Sequence, residues 1–413
     1  MYKIHKLDNG LTIVGEEIPH INSVTFGIWV NAGSRIEDPK VNGVSHFIEH
    51  MLFKGTKNRT AKEIARQIDA LGGQINAFTS KECTCYYVKL LDEHIGIGVD
   101  ILSDMILDPS FLDVDINKER SVILEELKMY EDSPDDLVYD MLMEKIYQGD
   151  GLGMNILGTR ESINDLSKED MLNYYSTYYV PNNSVISICG NFNFDDMVSM
   201  IEEKFSRWTA KEVTIDITEP VFKPCFITKN KDIEQVNLCI NLKGVNLEDR
   251  DDIYALAVVN NIFGGSMSSR LFQSIREDAG MVYSIYSSPS IHRKSGDLGI
   301  FVSMGNENLE TVYKLILEEI KCLKTNYLTQ DEIDESREQL KGSYILGLES
   351  TSSRMMSMGK SQLLSEEIDT PKDILGYINK VDIEQVKSVI DKVFDLDNIA
   401  VSLVGKDVEG IVL

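Results

Sequence analysis

The chain is short of basic residues, of plausible cysteine pairs and of long apolar runs, and each shortage excludes something. Of 413 residues, 41 are Lys or Arg and 67 are Asp or Glu, a formal net charge of −26. Such a surface repels phosphate backbones and anionic lipid, so neither nucleic acid nor membrane is an expected partner, and cationic ligands such as basic peptides are favoured. The plainer alternative is that the acids only keep the surface solvated. No apolar run is long enough to span a bilayer, and residues 1–8 contain no apolar signal core. The expectation is a cytoplasmic protein. The six cysteines are scattered, mostly in apolar strand-like segments such as 185–189. Cys83 and Cys85 share a strand face at a spacing that suits neither a disulfide nor a zinc-binding pair, so buried reduced thiols are expected. What remains is the composition of an ordinary globular protein, too long for one core, and two domains are the default.

Against this background one segment stands out, His46-Phe47-Ile48-Glu49-His50. Residues four apart lie one turn apart on a helix, so both imidazoles can reach a single metal ion, with Glu49 beside them. Val44, Phe47, Ile48, Met51 and Leu52 form an apolar stripe, and His46, Glu49 and His50 occupy the other side. A helix that buries one face and presents His, Glu and His from the other suits a hydrolytic metal.

The order of elements is written twice. Strand 24–30, the motif helix, helix 61–71, strands 74–79 and 84–91 and a helix at 93–106 are matched by strand 235–242 and helices 251–263 and 269–277. Strands 282–289 and 297–304 and a helix at 309–323 complete the second series. Ser167-Lys168-Glu169-Asp170 and Asp382-Ile383-Glu384-Gln385 each open a helix that leads to a strand ending in Gly, Gly190 and Gly405. Asp8-Asn9-Gly10 marks a hairpin. The reading is an α+β chain of two homologous α/β-sandwich domains from an internal duplication, each a mostly antiparallel sheet with helices packed on it. The divisions are 1–215, carrying the motif, and 216–413, with the join near 209–224, where Pro220 and Pro224 interrupt periodicity. At the motif's position the second half carries Ala257-Val258-Val259-Asn260-Asn261, which cannot hold a catalytic metal. Packing of the fold therefore does not require the histidines.

A catalytic zinc wants three protein ligands and an open position. The segment 116–130 reads as a helix with two adjacent acids. Glu126 shares a face with Val122, Ile123 and Tyr130, whereas Glu125 shares one with Lys118, Ser121 and Lys128, so Glu126 is the third ligand. Glu119, two turns earlier on the same face, suits an acceptor behind a ligand histidine.

His46-Phe47-Ile48-Glu49-His50 is the inverted zinc motif H-x-x-E-H, and Glu126 follows His50 by 76 residues and Glu119 by 7. In these motifs and in the duplicated plan the chain resembles the M16 metallopeptidases, a family that includes pitrilysin, insulin-degrading enzyme and the mitochondrial processing peptidase, and most of all its bacterial processing-peptidase-like branch. The resemblance implies one Zn²⁺ per chain on His46, His50 and Glu126, with Glu49 as general base and Glu119 behind the ligands. It implies that Gly73–Thr79 is an edge strand pairing with substrate backbone through Asn76, Ala77 and Phe78. It implies that Arg276 and Tyr283 contact substrate, in the same chain or in a partner. It further implies a chamber of four such domains, hence a dimer, most simply a homodimer. The function expected is zinc-dependent endopeptidase action on peptides or unfolded segments. The alternative is a silent or partner-dependent peptide-binding subunit of a heterodimer with a motif-less paralogue. The intact motif and the short Gly264-Gly265 run, in place of a long glycine-rich loop, resemble the catalytic type.

Overall fold

The computed structural model describes residues 2–411. Strands are β1 (Lys3–Lys6), β2 (Thr12–Glu17), β3 (Ser23–Val30), β4 (Gln74–Thr79), β5 (Thr84–Leu91), β6 (Ser184–Gly190), β7 (Phe226–Asn230), β8 (Gln235–Lys243), β9 (Val282–His292), β10 (Ser295–Gly305) and β11 (Ile399–Gly405). Helices are α1 (Val44–Leu52), α2 (Ala61–Asp69), α3 (Ile95–Leu107), α4 (Asp113–Asp132), α5 (Pro134–Ile146), α6 (Arg160–Asp165), α7 (Lys168–Tyr178) and α8 (Phe194–Phe205) in the first half. The second half contains α9 (Arg250–Phe263), α10 (Leu309–Asn326), α11 (Gln330–Gly347), α12 (Thr351–Ser365), α13 (Pro371–Lys380) and α14 (Ile383–Val393). The helix expected at 269–277 is instead a π-helical stretch, Phe272–Asp278.

The duplication is plain in the sheets. The first has the order β1-β2-β6-β3-β5-β4 and the second β7-β11-β8-β10-β9. Setting β1 aside, the two orders correspond strand for strand. The β2–β6 and β7–β11 pairs are parallel, and every other pair is antiparallel. The two helix starts read from sequence, Ser167 before α7 and Asp382 before α14, each carry a reciprocal capping box, as do Thr60 before α2 and Thr159 before α6.

The chain forms two compact units, neither of them contiguous. One comprises residues up to Leu127 with Met154–Asp216 and Leu346–Thr370, and the other comprises Lys128–Gly153 with Ile217–Ile345 and Pro371 onward. The contiguous halves 1–215 and 216–413 describe the repeat. The compact units differ from them by one exchanged helical segment each, because one face of each sheet is covered by a helix from the other half of the sequence. In the first unit α12 lies on β2, β3 and β6, and Met355 and Met358 pack with Trp29, Cys83, Cys85 and Cys189. In the second, α5 lies on β8 and β11, and Leu142, Met143 and Ile146 pack with Cys239, Ala400 and Val404.

The two joints are built alike. Ser187, fourth residue of β6, donates to the carbonyl of Met355, fifth residue of α12, at 2.8 Å. Ser402, fourth residue of β11, donates to the carbonyl of Val138, fifth residue of α5, at 2.6 Å. None of the six cysteines is in a disulfide. Four are buried as expected, Cys225 is half-buried and Cys322, on the outer face of α10, is exposed.

Candidate metal centre

Helix α1 begins without a capping side chain of its own. Gly43 precedes it at φ +92°, a left-handed conformation that favours glycine, and a Cβ there would lie 2.7 Å from Leu157 O and Ile163 Cδ1. The cap comes from Glu37. Its buried carboxylate accepts from Gly43 N at 2.7 Å, Ser45 N at 2.8 Å and Asn42 Nδ2 at 2.8 Å. Burial outweighs these donors and raises the Glu37 carboxyl. Val44, Phe47, Ile48, Met51 and Leu52 are fully buried, as the stripe requires.

On the other face His46 and His50 lie with ring centroids 4.5 Å apart. Glu126 of α4 approaches both, its Oε2 being 3.8 Å from His46 Nε2 and 3.6 Å from His50 Nε2. Ligand atoms bonded tetrahedrally to zinc at about 2.0–2.1 Å stand about 3.3 Å apart, so the trio needs only small closure to hold one ion. These three residues form the one group of His, Cys, Asp or Glu side chains with metal-binding geometry among the described residues. Two neutral nitrogens and one carboxylate suit zinc. Burial, then the neighbouring His50, push His46 down from 6.5 to about 3, which keeps it in the neutral form that ligates.

The supporting contacts are specific. Glu119 Oε2 lies 3.1 Å from His50 Nδ1, and Glu119 Oε1 lies 2.5 Å from Lys54 Nζ. The buried Glu119 carboxylate is thus shared between a ligand imidazole and an ammonium. His46 Nδ1 is buried without a hydrogen-bond partner among the described residues. Glu49 is the fourth member of the face, and Thr79 Oγ1 at the end of β4 donates to its Oε2 at 2.5 Å. Burial raises the Glu49 carboxyl, helped by the charge of Glu126 and opposed by the Thr79 hydroxyl and by His50.

One supporting detail for Glu126 differs. The buried stripe of α4 is Ile116, Glu119, Ile123 and Leu127, whereas Val122 and Tyr130 are 49% and 37% exposed. Glu126 sits on the flank of that stripe, half-buried beside the open side of the site, while Glu125 faces solvent.

Among the described residues, strand β4 is the edge of its sheet and pairs only with β5. Its two faces have different work. Ile75 and Ala77 pack on the main core of their unit and Thr79 reaches Glu49, all on the α1 side. Phe78 points the other way, edge-on to Trp29 at 5.6 Å, in the cluster under α12. Its side chain is used in packing, and by the hairpin register its backbone faces β5, so the free edge of β4 is carried by Ile75 and Ala77. Asn76 is exposed, and its Oδ1 accepts from Ala77 N at 2.8 Å. Arg276 and Tyr283 belong to the other compact unit. Arg276 lies over the Phe272 ring at 4.7 Å, and Tyr283 projects from β9, the edge of the second sheet, 72% exposed.

Sequence reasoning missed Lys54, Glu37 and the role of Thr79. Lys54 follows His50 by four residues, a helical spacing that could have found it. Glu37 and Thr79 are joined to α1 only through the fold.

The second half carries a polar bridge where a plain packing helix was expected. Asn261 Nδ2 on α9 donates to Ser336 Oγ and Gln339 Oε1 on α11, both at 3.1 Å.

Comparison with known proteins agrees with this construction. Residues 12–160 match the family described as insulinase (peptidase family M16), and residues 165–340 match the peptidase M16 inactive domain. A Bacillus subtilis protein named as an uncharacterized zinc protease is 42% identical over 397 residues, 96% of this chain and 97% of its own. A Streptomyces coelicolor protein with the same description is 35% identical over 93% of this chain and 85% of its own. In fold the chain is similar to the crystal structure of a protease from Helicobacter pylori, with TM-score 0.92, 20% identity and coverage of 98% and 99% of the two chains. It is equally similar to a Pseudomonas fluorescens structure described as a peptidase M16 inactive domain, with TM-score 0.92, 19% identity and coverage of 99% and 98%. With two sheet-and-helix halves and a His-His-Glu trio in the first, the chain belongs to the M16 peptidase family.

Proposed function

We propose that the protein is a zinc-dependent endopeptidase acting on extended peptides. The observation that carries this is the convergence of His46, His50 and Glu126 on one point, with Glu49 on the same helix face. A zinc ion bound there supplies a Lewis acid, which acidifies water and polarises a carbonyl. Glu49 takes the proton of the attacking water and passes it to the leaving amine, the work its raised carboxyl favours. Glu119 and Lys54 hold His50 with its Nδ1 toward Glu119 and its Nε2 toward Glu126. Strand β4 offers its free edge to a peptide backbone, so recognition tolerates varied side chains.

The same reading includes a weak preference for basic peptides, supported by the net charge of −26. It also includes pairing of two chains into a chamber in which Arg276 and Tyr283 contact substrate, supported by the family resemblance and by the exposure of Tyr283. No helix among the described residues is long and apolar enough to cross a membrane.

The test is zinc content and peptide cleavage of the purified chain beside Glu49→Gln. About one zinc per chain in both, with cleavage only by the wild type, is the expected result. Zinc without cleavage by the wild type points to a partner-dependent subunit, and absence of zinc overturns the reading.

A further inference from the structure

We propose that Thr79 is a positioning residue for Glu49, fixing which carboxylate oxygen receives the proton. The inference rests on the peptidase reading above. Glu49 makes one hydrogen bond among the described residues, from Thr79 Oγ1 to Oε2. That bond commits one oxygen to the protein and leaves Oε1 to accept from water.

The hydroxyl is itself held firmly. Thr79 is the last residue of β4 and pairs with Thr84 of β5. The turn that follows is closed by Ser80 N and Ser80 Oγ, each donating to Cys83 O at 2.8 Å. Outside the hairpin, Ser34 N donates to Ser80 O at 3.2 Å and Arg35 N to Lys81 O at 2.7 Å. Gly33 permits this approach, since a Cβ there would lie 2.3 Å from Ser80 O. Arg35 also pairs with Glu82 at 2.9 Å, with both side chains almost fully buried. A β-branched side chain on so constrained a backbone has little rotamer freedom.

Glu49 has no such constraint within α1. A free glutamate samples several rotamers, and a base must lie within hydrogen-bond reach of the proton it takes. The Thr79 hydroxyl removes that freedom from outside the helix. It also ties the base to the last residue of the strand proposed to seat the peptide.

The test compares Thr79→Val, which keeps the shape and removes the donor, with Thr79→Ser, which keeps the donor. Peptide kcat and KM, zinc content and melting temperature are measured for both beside the wild type. The expected result for Thr79→Val is a fall in kcat of about 10- to 100-fold, the cost of a misplaced catalytic group, with KM, zinc content and melting temperature little changed. Thr79→Ser should recover most of the loss. An active wild type with Thr79→Val unchanged in kcat, or with Thr79→Ser as impaired as Thr79→Val, overturns the role of Thr79 alone. Loss of zinc in Thr79→Val overturns it too, by showing that the residue supports the metal site instead. A wild type that binds zinc and cleaves nothing overturns the peptidase reading, and the role of Thr79 falls with it.

Discussion

The two halves use the same pair of helices for different ends. In the first, His50 of α1 meets Glu119 of α4 at 3.1 Å, and in the second Asn261 of α9 meets Ser336 of α11 at 3.1 Å. An arginine one residue further along sets the register. Arg120 donates to the carbonyls of Ile163 and Leu166 at the end of α6, and Arg337 to those of Asn379 and Val381 at the end of α13. Counting from these arginines, the place of Glu126 is taken by Ser343, and counting from His50 and Asn261, the place of His46 is taken by Ala257. The fold therefore asks only for a polar bridge between two helices. Metal chemistry needs that bridge to be His–Glu and needs two further ligands placed around it.

Replacing His50 by Asn, the residue of the sister helix, should break the comparison most sharply. Zinc content should fall from about one per chain to near zero and cleavage by roughly a thousandfold or more, since three ligands are the minimum for a catalytic site. The metal-free protein should still fold, which thermal melting checks. Glu119→Gln keeps all three ligands and alters only the bridge. Chelator competition should show zinc held about 10- to 100-fold more weakly, the range found for such supporting groups, with Lys54→Met shifting it the same way by less.

His46 gives a pH signature that Ala257 cannot. Its folded-state value of about 3 lies below the ordinary 6.5, so between these values the unfolded chain binds a proton that the native chain does not. Stability of the metal-free protein should therefore fall as pH drops through this window, by about 1.4 kcal/mol per unit from this group. Urea titration at about pH 7 and about pH 5 should show a shallower slope for His46→Ala. The smallest effect belongs to the second half. Asn261→Ala leaves buried Ser336 without that partner and should cost about 1–2 kcal/mol while zinc content stays unchanged.

Much of this was legible in the sequence, for local reasons. Strands 74–79 and 84–91 stand where their alternation put them, because the residues that decide them lie within the strand. The His-Glu-His face and the choice of Glu126 over Glu125 follow from helical phase, although Val122 and Tyr130 proved to be exposed neighbours. The contacts that stayed hidden cross the sequence. Glu37 caps α1 from a preceding loop, Thr79 reaches Glu49 from a strand 30 residues away, and α5 and α12 cover sheets of the opposite half. Periodicity reports which face of a helix is apolar, and not which sheet receives it. The π-helical Phe272–Asp278 was read as α because both windings place apolar residues at similar spacing.

The exchange of α5 and α12 bears on the order in which the molecule can be made. A chain emerging from the ribosome has residues 1–216 available early, yet the face of its first sheet that carries Trp29 has nothing to cover it until Thr351–Ser365 appear. Meanwhile α5 waits for β8 and for β11, which lies in the other half of the sequence at Ile399–Gly405. Neither unit can close until the segment it borrows from the other half has been made. Until then the apolar faces stay exposed, which makes the nascent chain a natural client of chaperones.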